Sequence, residues 1–137
     1  MIIDASVASK WILENEPDED KARILLENHQ QGINRIIVPD LLFYEIANTI
    51  ATKTELTERH LERSLHVIHQ ANLIIYYPSY EDVLMAGKLA KKYKASVYDM
   101  IYAVTAKKYK TILVTADEKF VKKTKFPFVK LLSDYSE

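Results

Sequence analysis

The chain has 137 residues, 48 % hydrophobic and 28 % charged, with 19 basic residues balancing 19 acidic ones. It contains no cysteine and only two glycines, Gly32 and Gly87, which excludes disulfides, thiolate metal sites, cysteine nucleophiles and glycine-rich phosphate loops. Its length suits one domain over residues 1–137, and no apolar run approaches the roughly 18 residues of a membrane span; with Asp4 too early for a signal peptide, a cytoplasmic protein without a membrane partner is expected.

Ile2-Ile3 is short and apolar, as in a buried strand, and Asp4-Ala5-Ser6 can cap a helix that includes Ala8, Trp11 and Ile12. A second helix is predicted after Pro17, where Asp18, Glu19 and Asp20 favour the positive end of the helix dipole, running through Ala22, Leu25 and Leu26. Ile36-Ile37-Val38 reads as a strand. Pro39-Asp40 then opens a helix with Leu42, Phe43, Ile46 and Ile50, and Thr57 starts another with Leu61, Leu65 and Ile68 at helical spacing. Leu73 to Tyr76 is a third strand, followed by helices starting at Ser79 and Ser96. Thr111 to Val114 is a fourth strand, Asp117 to Lys122 a short helix, and Phe128 to Leu131 a final strand with Pro127 at its edge or start. Short, continuously apolar strands separated by helices predict an α/β fold: three layers, α/β/α, around a central, mainly parallel sheet of about five strands. Ligands of such sheets gather beyond the carboxyl ends of the strands, and Asp4 and Asp117 would both emerge there.

The zero net charge conceals an uneven distribution. Residues 1–87 hold 7 basic and 14 acidic residues, whereas residues 88–130 hold 12 basic and 3 acidic. Such asymmetry points to a polyanionic partner. The acids inside the basic segment are Asp99, Asp117 and Glu118.

Asp4, Glu45, Asp99 and Asp117 are the candidates for chemistry. Each has an ordinary reading that outweighs the functional one when taken singly. Asp4 can cap the first helix; Ser96 with Asp99, and Thr115 with Glu118, match the S-x-x-[DE] capping pattern; Glu45 falls on a flank with Asn48 and Thr49, outside the apolar stripe. Taken together, carboxylates converging on one rim would repel one another unless a hard divalent cation joined them. Mg²⁺ needs only a few carboxylates because it keeps several waters. An ion so held could polarise a phosphodiester and activate water, while the lysines bind the flanking phosphates.

The motifs Ile2-Ile3-Asp4-Ala5-Ser6-Val7, Val38 to Asn48 with Glu45, Tyr98-Asp99-Met100-Ile101-Tyr102-Ala103 and Leu113 to Phe120 with Asp117 occur in this order. Any one is weak, but the ordered set spans nearly the whole chain. The sequence resembles the PIN-domain family and, within it, VapC-like toxins of toxin–antitoxin pairs. That resemblance implies a metal-dependent endonuclease that cleaves RNA, with Mg²⁺ or Mn²⁺ as cofactor. It implies that Asp4, Asp99 and Asp117 ligate the metal and that Glu45 completes the catalytic acids. The hydroxyls of Ser6 and Thr115 would support them. It also implies a small antitoxin as partner and a homodimer.

Other signals weigh less. Glu62, His66 and His69 share a narrow arc of one helix, but no fourth ligand is evident and a solvated face outweighs a zinc or nickel site. His29 and His60 have no recognisable partners. Trp11 reads as a packing residue or part of an antitoxin groove. Tyr98, beside Asp99, is the best of the nine tyrosines for stacking on an RNA base. Two readings compete with the nuclease. One is a PIN scaffold used for binding in RNA processing or a larger assembly. The other is a phosphoryl-transfer protein, which the order of acids fits poorly: a haloacid-dehalogenase phosphatase needs Asp-x-Asp after the first strand, where Asp4-Ala5-Ser6 offers serine.

Overall fold

A computed structural model describes residues 1–53 and 55–135. Thirteen segments alternate along it: β1 (Ile2–Ile3), α1 (Ala5–Ala8), a 3₁₀ turn (Ser9–Trp11), α2 (Glu19–Gln30), β2 (Ile37–Pro39), α3 (Leu41–Thr52), α4 (Glu58–Gln70), β3 (Ile74–Tyr76), α5 (Tyr80–Tyr93), α6 (Val97–Lys108), β4 (Leu113–Thr115), α7 (Glu118–Thr124) and β5 (Val129–Leu131). The strands form one sheet in the order β3-β2-β1-β4-β5, and every neighbouring pair is parallel. With helices flanking the sheet, this is the expected three-layer α/β/α arrangement, wholly rather than mainly parallel.

The order places β1 at the centre. The chain moves outward from β1 through β2 to β3, then crosses back to lay β4 and β5 on the other side. The direction of winding therefore reverses between β1 and β4, and that is where a crevice opens at the strand ends of such sheets. Ile2 pairs with Leu113 and Ile3 with Val114, so Asp4 and Thr115 follow in step on one rim.

The central strands are buried because α6 packs against β1, β2 and β4. Ile2, Ile3, Val38, Val114, Met100 and Tyr102 are all at most 1 % exposed. A fully buried helix must be apolar around its whole circumference, and α6 is buried continuously from Met100 to Ala106. Burial of such side chains contributes on the order of 1.5–3 kcal/mol each.

Several expectations need correction. The first helix ends at Ala8 and tightens into a 3₁₀ turn over Ser9–Trp11, leaving Ile12 outside it. The Trp11 indole N–H donates to Ala22 O at 2.8 Å, which draws this turn onto α2. β3 is an edge strand with Ile74 and Ile75 each 40 % exposed, so the third strand is not covered on both faces. The fourth strand begins at Leu113, because Lys110 takes a left-handed backbone (φ 52°) and Thr111 N still bonds Ala106 O to close α6. His29 does have partners: Ile36 N donates to Nδ1 at 3.1 Å and Nε2 lies 3.1 Å from Asn72 O. His60 closes a capping box with Thr57 at the start of α4. Glu62, His66 and His69 are exposed on α4.

Candidate active site

Asp4, a candidate site acid, is also the cap of α1. Its Oδ1 accepts from Val7 N at 3.2 Å, ending β1 and starting α1. The same oxygen accepts from Ser6 Oγ at 2.5 Å. Ser6 Oγ in turn accepts from Ala116 N at 2.9 Å and lies 3.4 Å from Thr115 Oγ1. Ser6 and Thr115 thus stitch the ends of β1 and β4 together beneath Asp4.

Asp117 is held from the other strand. Its amide donates to Thr115 Oγ1 at 2.9 Å, and its Oδ1 accepts from Phe120 N at 3.0 Å as the cap of α7. The capping pair of Thr115 with Glu118 expected from the motif does not form. Thr115 is still strand, so the cap falls two residues later, on Asp117.

Asp99 lies in the first turn of α6. Ser96 caps that helix by accepting from Asp99 N at 3.0 Å, and its hydroxyl donates to Asp99 Oδ2 at 2.7 Å. Glu45 lies inside α3, beyond the reach of that helix's free amides. It is half-buried rather than on a solvated flank, and the Tyr102 hydroxyl donates to its Oε2 at 2.5 Å. Nothing in the sequence reading sets Tyr102 apart from the other tyrosines. The available signal was its position one helical turn after Asp99, on the same side of α6.

The electrostatics tie these carboxylates into one group. Burial pushes Asp4 up to about 6, against the pull of Ser6, Thr115 and the Val7 amide, and the Asp99 charge pushes it further. Burial raises Glu45, the Tyr102 hydroxyl opposes this, and the charges of Asp4 and Asp99 raise it again. Asp99 is raised by burial, lowered by Ser96, raised by Asp117 and lowered by Lys123. Each acid therefore feels at least one other, and all four are partly buried. Like charges gathered in this way disfavour ionisation unless a cation joins them.

One oxygen of each of Glu45, Asp99 and Asp117 accepts the bonds just described, and the other has no hydrogen-bond partner among the described residues. No buried side-chain oxygen there lacks a partner, so these second oxygens are open to solvent. The donor set is all oxygen, as hard divalent ions prefer. Among the described residues no three acid or histidine side chains stand close enough to cage an ion directly. A divalent ion at these acids would therefore be held partly through water, which Mg²⁺ readily keeps.

Lys91, Lys92, Lys94, Lys107, Lys108, Lys110, Lys122, Lys123 and Lys125 are exposed on or just after α5, α6 and α7. The Lys123 charge acts on Asp99, and its Nζ donates to Lys94 O at 2.8 Å. Tyr98 is 60 % exposed beside Asp99, and Tyr44 is 66 % exposed beside Glu45.

A PIN-domain family model matches residues 1–125. No curated protein matches significantly by sequence. Among solved structures, the chain is similar to VapBC2 from Rickettsia felis, bound to a DNA fragment from their promoter. The TM-score is 0.71 at 16 % identity, covering 95 % of this chain and 96 % of that one. It is similar to a toxin–antitoxin complex from Klebsiella pneumoniae, with a TM-score of 0.68 at 17 % identity and coverage of 99 % and 98 %. It is also similar to VapC20 of Mycobacterium tuberculosis, described as a sarcin–ricin loop cleaving toxin, with a TM-score of 0.68 at 8 % identity and coverage of 90 % and 94 %. At these identities the structures share the fold, and it is the sequence match over residues 1–125 that assigns the family: the chain belongs to the PIN-domain family.

Proposed function

We propose that the chain is a metal-dependent endoribonuclease that hydrolyses phosphodiester bonds, acting in the cytoplasm as the toxin of a toxin–antitoxin pair. The observation that carries this reading is the placing of Asp4 and Asp117 at the ends of β1 and β4, beside the β1–β4 crevice, with Asp99 at the start of α6 and Glu45 bound to Tyr102 of that same helix. Asp4, Asp99 and Asp117 would hold Mg²⁺ or Mn²⁺. When bound, such an ion supplies Lewis-acid polarisation of the phosphodiester and lowers the pKa of a water. Glu45 has one oxygen fixed by Tyr102 and one open, and its raised pKa suits it to take a proton from the attacking water. Ser6 and Thr115 hold Asp4 and the Asp117 backbone in register. The lysines of α5–α7 would neutralise RNA phosphates on either side of the cut.

An antitoxin partner is proposed from the fold shared with toxin–antitoxin complexes. A homodimer is proposed from an exposed apolar face. Tyr44, Val83, Val97 and Tyr98 line a groove of about 270 Å³, and Tyr80 is 76 % exposed nearby on α5. The family's alternative role, a non-toxin PIN protein that binds RNA in processing or in a larger assembly, is separated by the same experiment.

Purified protein is incubated with structured and unstructured RNAs in Mg²⁺ or Mn²⁺, with and without chelator, beside Asp99→Asn. The expected result is metal-dependent cutting that falls at least roughly 100-fold in the variant, while its melting curve stays cooperative. RNA binding without cutting in either metal would favour the binding-module reading. Full cutting by Asp99→Asn would overturn the site assignment.

A further inference from the structure

Asp4 and Asp117 are oriented by backbone amides at the starts of α1 and α7, and Asp99 by the capping hydroxyl of Ser96 at the start of α6. Glu45 has no such support. It sits in the second turn of α3, where the amides are already spent on the helix, and its side chain is the longest of the four. A flexible carboxylate in that place would sample several rotamers. Among the described residues, the only hydrogen bond its carboxylate accepts comes from the Tyr102 hydroxyl, at 2.5 Å.

Tyr102 is suited to this by its own fixing. It is 1 % exposed, in the wholly buried stretch of α6 that presents Asp99 one turn earlier. Burial and then the Glu45 charge push the phenol far above its ordinary pKa, so it stays a donor at every working pH. Its hydroxyl therefore joins α6 to α3.

We propose that Tyr102 is a positioning residue for the proposed nuclease: its hydroxyl fixes one oxygen of Glu45 so that the other faces the reacting water. Tyr102 does for Glu45 what the helix starts do for the three aspartates. The claim rests on the nuclease reading, but the Tyr102–Glu45 bond itself does not.

The test is a double-mutant cycle of Tyr102→Phe, Glu45→Ala and the pair, read twice. Phe keeps the buried ring, so the fold is expected to survive, and circular dichroism melting checks this. In metal-free protein, urea unfolding of the four forms measures whether the two side chains are energetically coupled. In the cleavage assay, Tyr102→Phe is expected to lower kcat by roughly tenfold with KM changed by less than about twofold. That loss should disappear in the residual activity of the Glu45→Ala background, because the hydroxyl acts only through the carboxylate. A purely structural role would leave equal losses in both backgrounds, and that result overturns the proposal. An active wild type with no stability coupling between the two overturns it too. A wild type that cuts no RNA overturns the nuclease reading, and the positioning role with it, even where the coupling in stability is found.

Discussion

The Ser6 hydroxyl donates to Asp4 Oδ1 at 2.5 Å while accepting from Ala116 N, so the first acid of the site is held through a contact that spans the β1–β4 crevice. Even with that hydrogen bond, Asp4 is raised to about 6, because burial outweighs it. The fold thus keeps a carboxylate where ionisation is costly.

A pH dependence follows. In the unfolded chain Asp4 returns to its ordinary value of 3.8, while in the folded chain it titrates near 6. The folded state therefore binds the proton more tightly. The associated stability is fully present below about pH 4 and is lost as pH rises through about 6, by on the order of 2–3 kcal/mol. Asp4→Asn should remove this loss and make metal-free protein more stable than wild type at pH 7. Urea unfolding between pH 4.5 and 7.5 measures it, and parallel pH profiles for the two forms would contradict the origin assigned to it.

Addition of Mg²⁺ or Mn²⁺ at pH 7 should raise the melting temperature of the wild type, because an ion that binds only the folded state stabilises it by mass action. Asp4→Asn and Asp117→Asn should blunt that rise. The same metal concentrations should leave a Glu62→Gln, His66→Gln, His69→Gln variant of the exposed α4 arc as responsive as wild type, since those side chains are exposed on a helix that carries none of the four acids. An equal thermal shift in Asp4→Asn and wild type would count against Asp4 as a ligand.

A second network resists acid. Asp82 closes the cap of α5, and accepts from Tyr76 and Lys108, with Lys108 Nζ at 3.0 Å from Oδ2. Burial opposes its ionisation, but Tyr76, the Ser79 amide and Lys108 together hold it at about 2. Its folded pKa is depressed, so the stability it gives is present above about pH 4 and lost as pH falls towards 2. Lys108 is 46 % exposed, which screens the pair and limits the effect to about 1 kcal/mol. Asp82→Asn should therefore flatten the acid limb of unfolding between pH 4 and 2, and an unchanged limb would exclude Asp82 as its source.

Three helices, α5, α6 and α7, are followed by lysines with left-handed backbones: Lys94 (φ 54°), Lys110 (φ 52°) and Lys125 (φ 51°). Glycine takes this conformation without a Cβ penalty. Lys125→Gly is expected to stabilise the protein by up to about 1 kcal/mol, partly offset by the greater freedom of glycine in the unfolded chain. If the lysine is kept for its charge, RNA binding should weaken in the same variant and lose some of its salt dependence. Chemical unfolding and a salt titration of binding read the two effects separately.

The exposed apolar face gives a further expectation. Val83 is 47 % exposed on α5 and lines the groove shared with Tyr44 and Tyr98. If two copies meet there, Val83→Asp should shift sedimentation from dimer to monomer, because a carboxylate buried without a partner is strongly disfavoured. A wild type that sediments as a monomer at micromolar concentration would remove this face as a self-contact.

Much of this was legible in the chain. The strands β1 to β4 appear as short apolar runs, and Thr57, Ser79 and Ser96 mark helix starts by their capping chemistry. Those signals are local, and a few neighbouring residues decide them. The acids were legible as candidates because Asp4 and Asp117 follow strands and Asp99 opens a helix. The sequence could not show that Thr115 stays in the strand and passes the cap to Asp117, since that depends on pairing with β5. Nor could it show that β3 ends as a half-exposed edge, because strand order is not written in any one strand.

The pattern of residues by itself determined the α/β class, most element positions and the roster of carboxylates, because hydrophobic period and capping act over a few residues. Tertiary structure alone decided that these carboxylates feel one another across β1, α3, α6 and β4, that Asp4 is raised to about 6, and that Tyr102, 57 residues from Glu45, supplies its hydrogen bond. Burial and charge coupling are properties of distance through space, and distance through space exists only once the sheet has chosen its strand order.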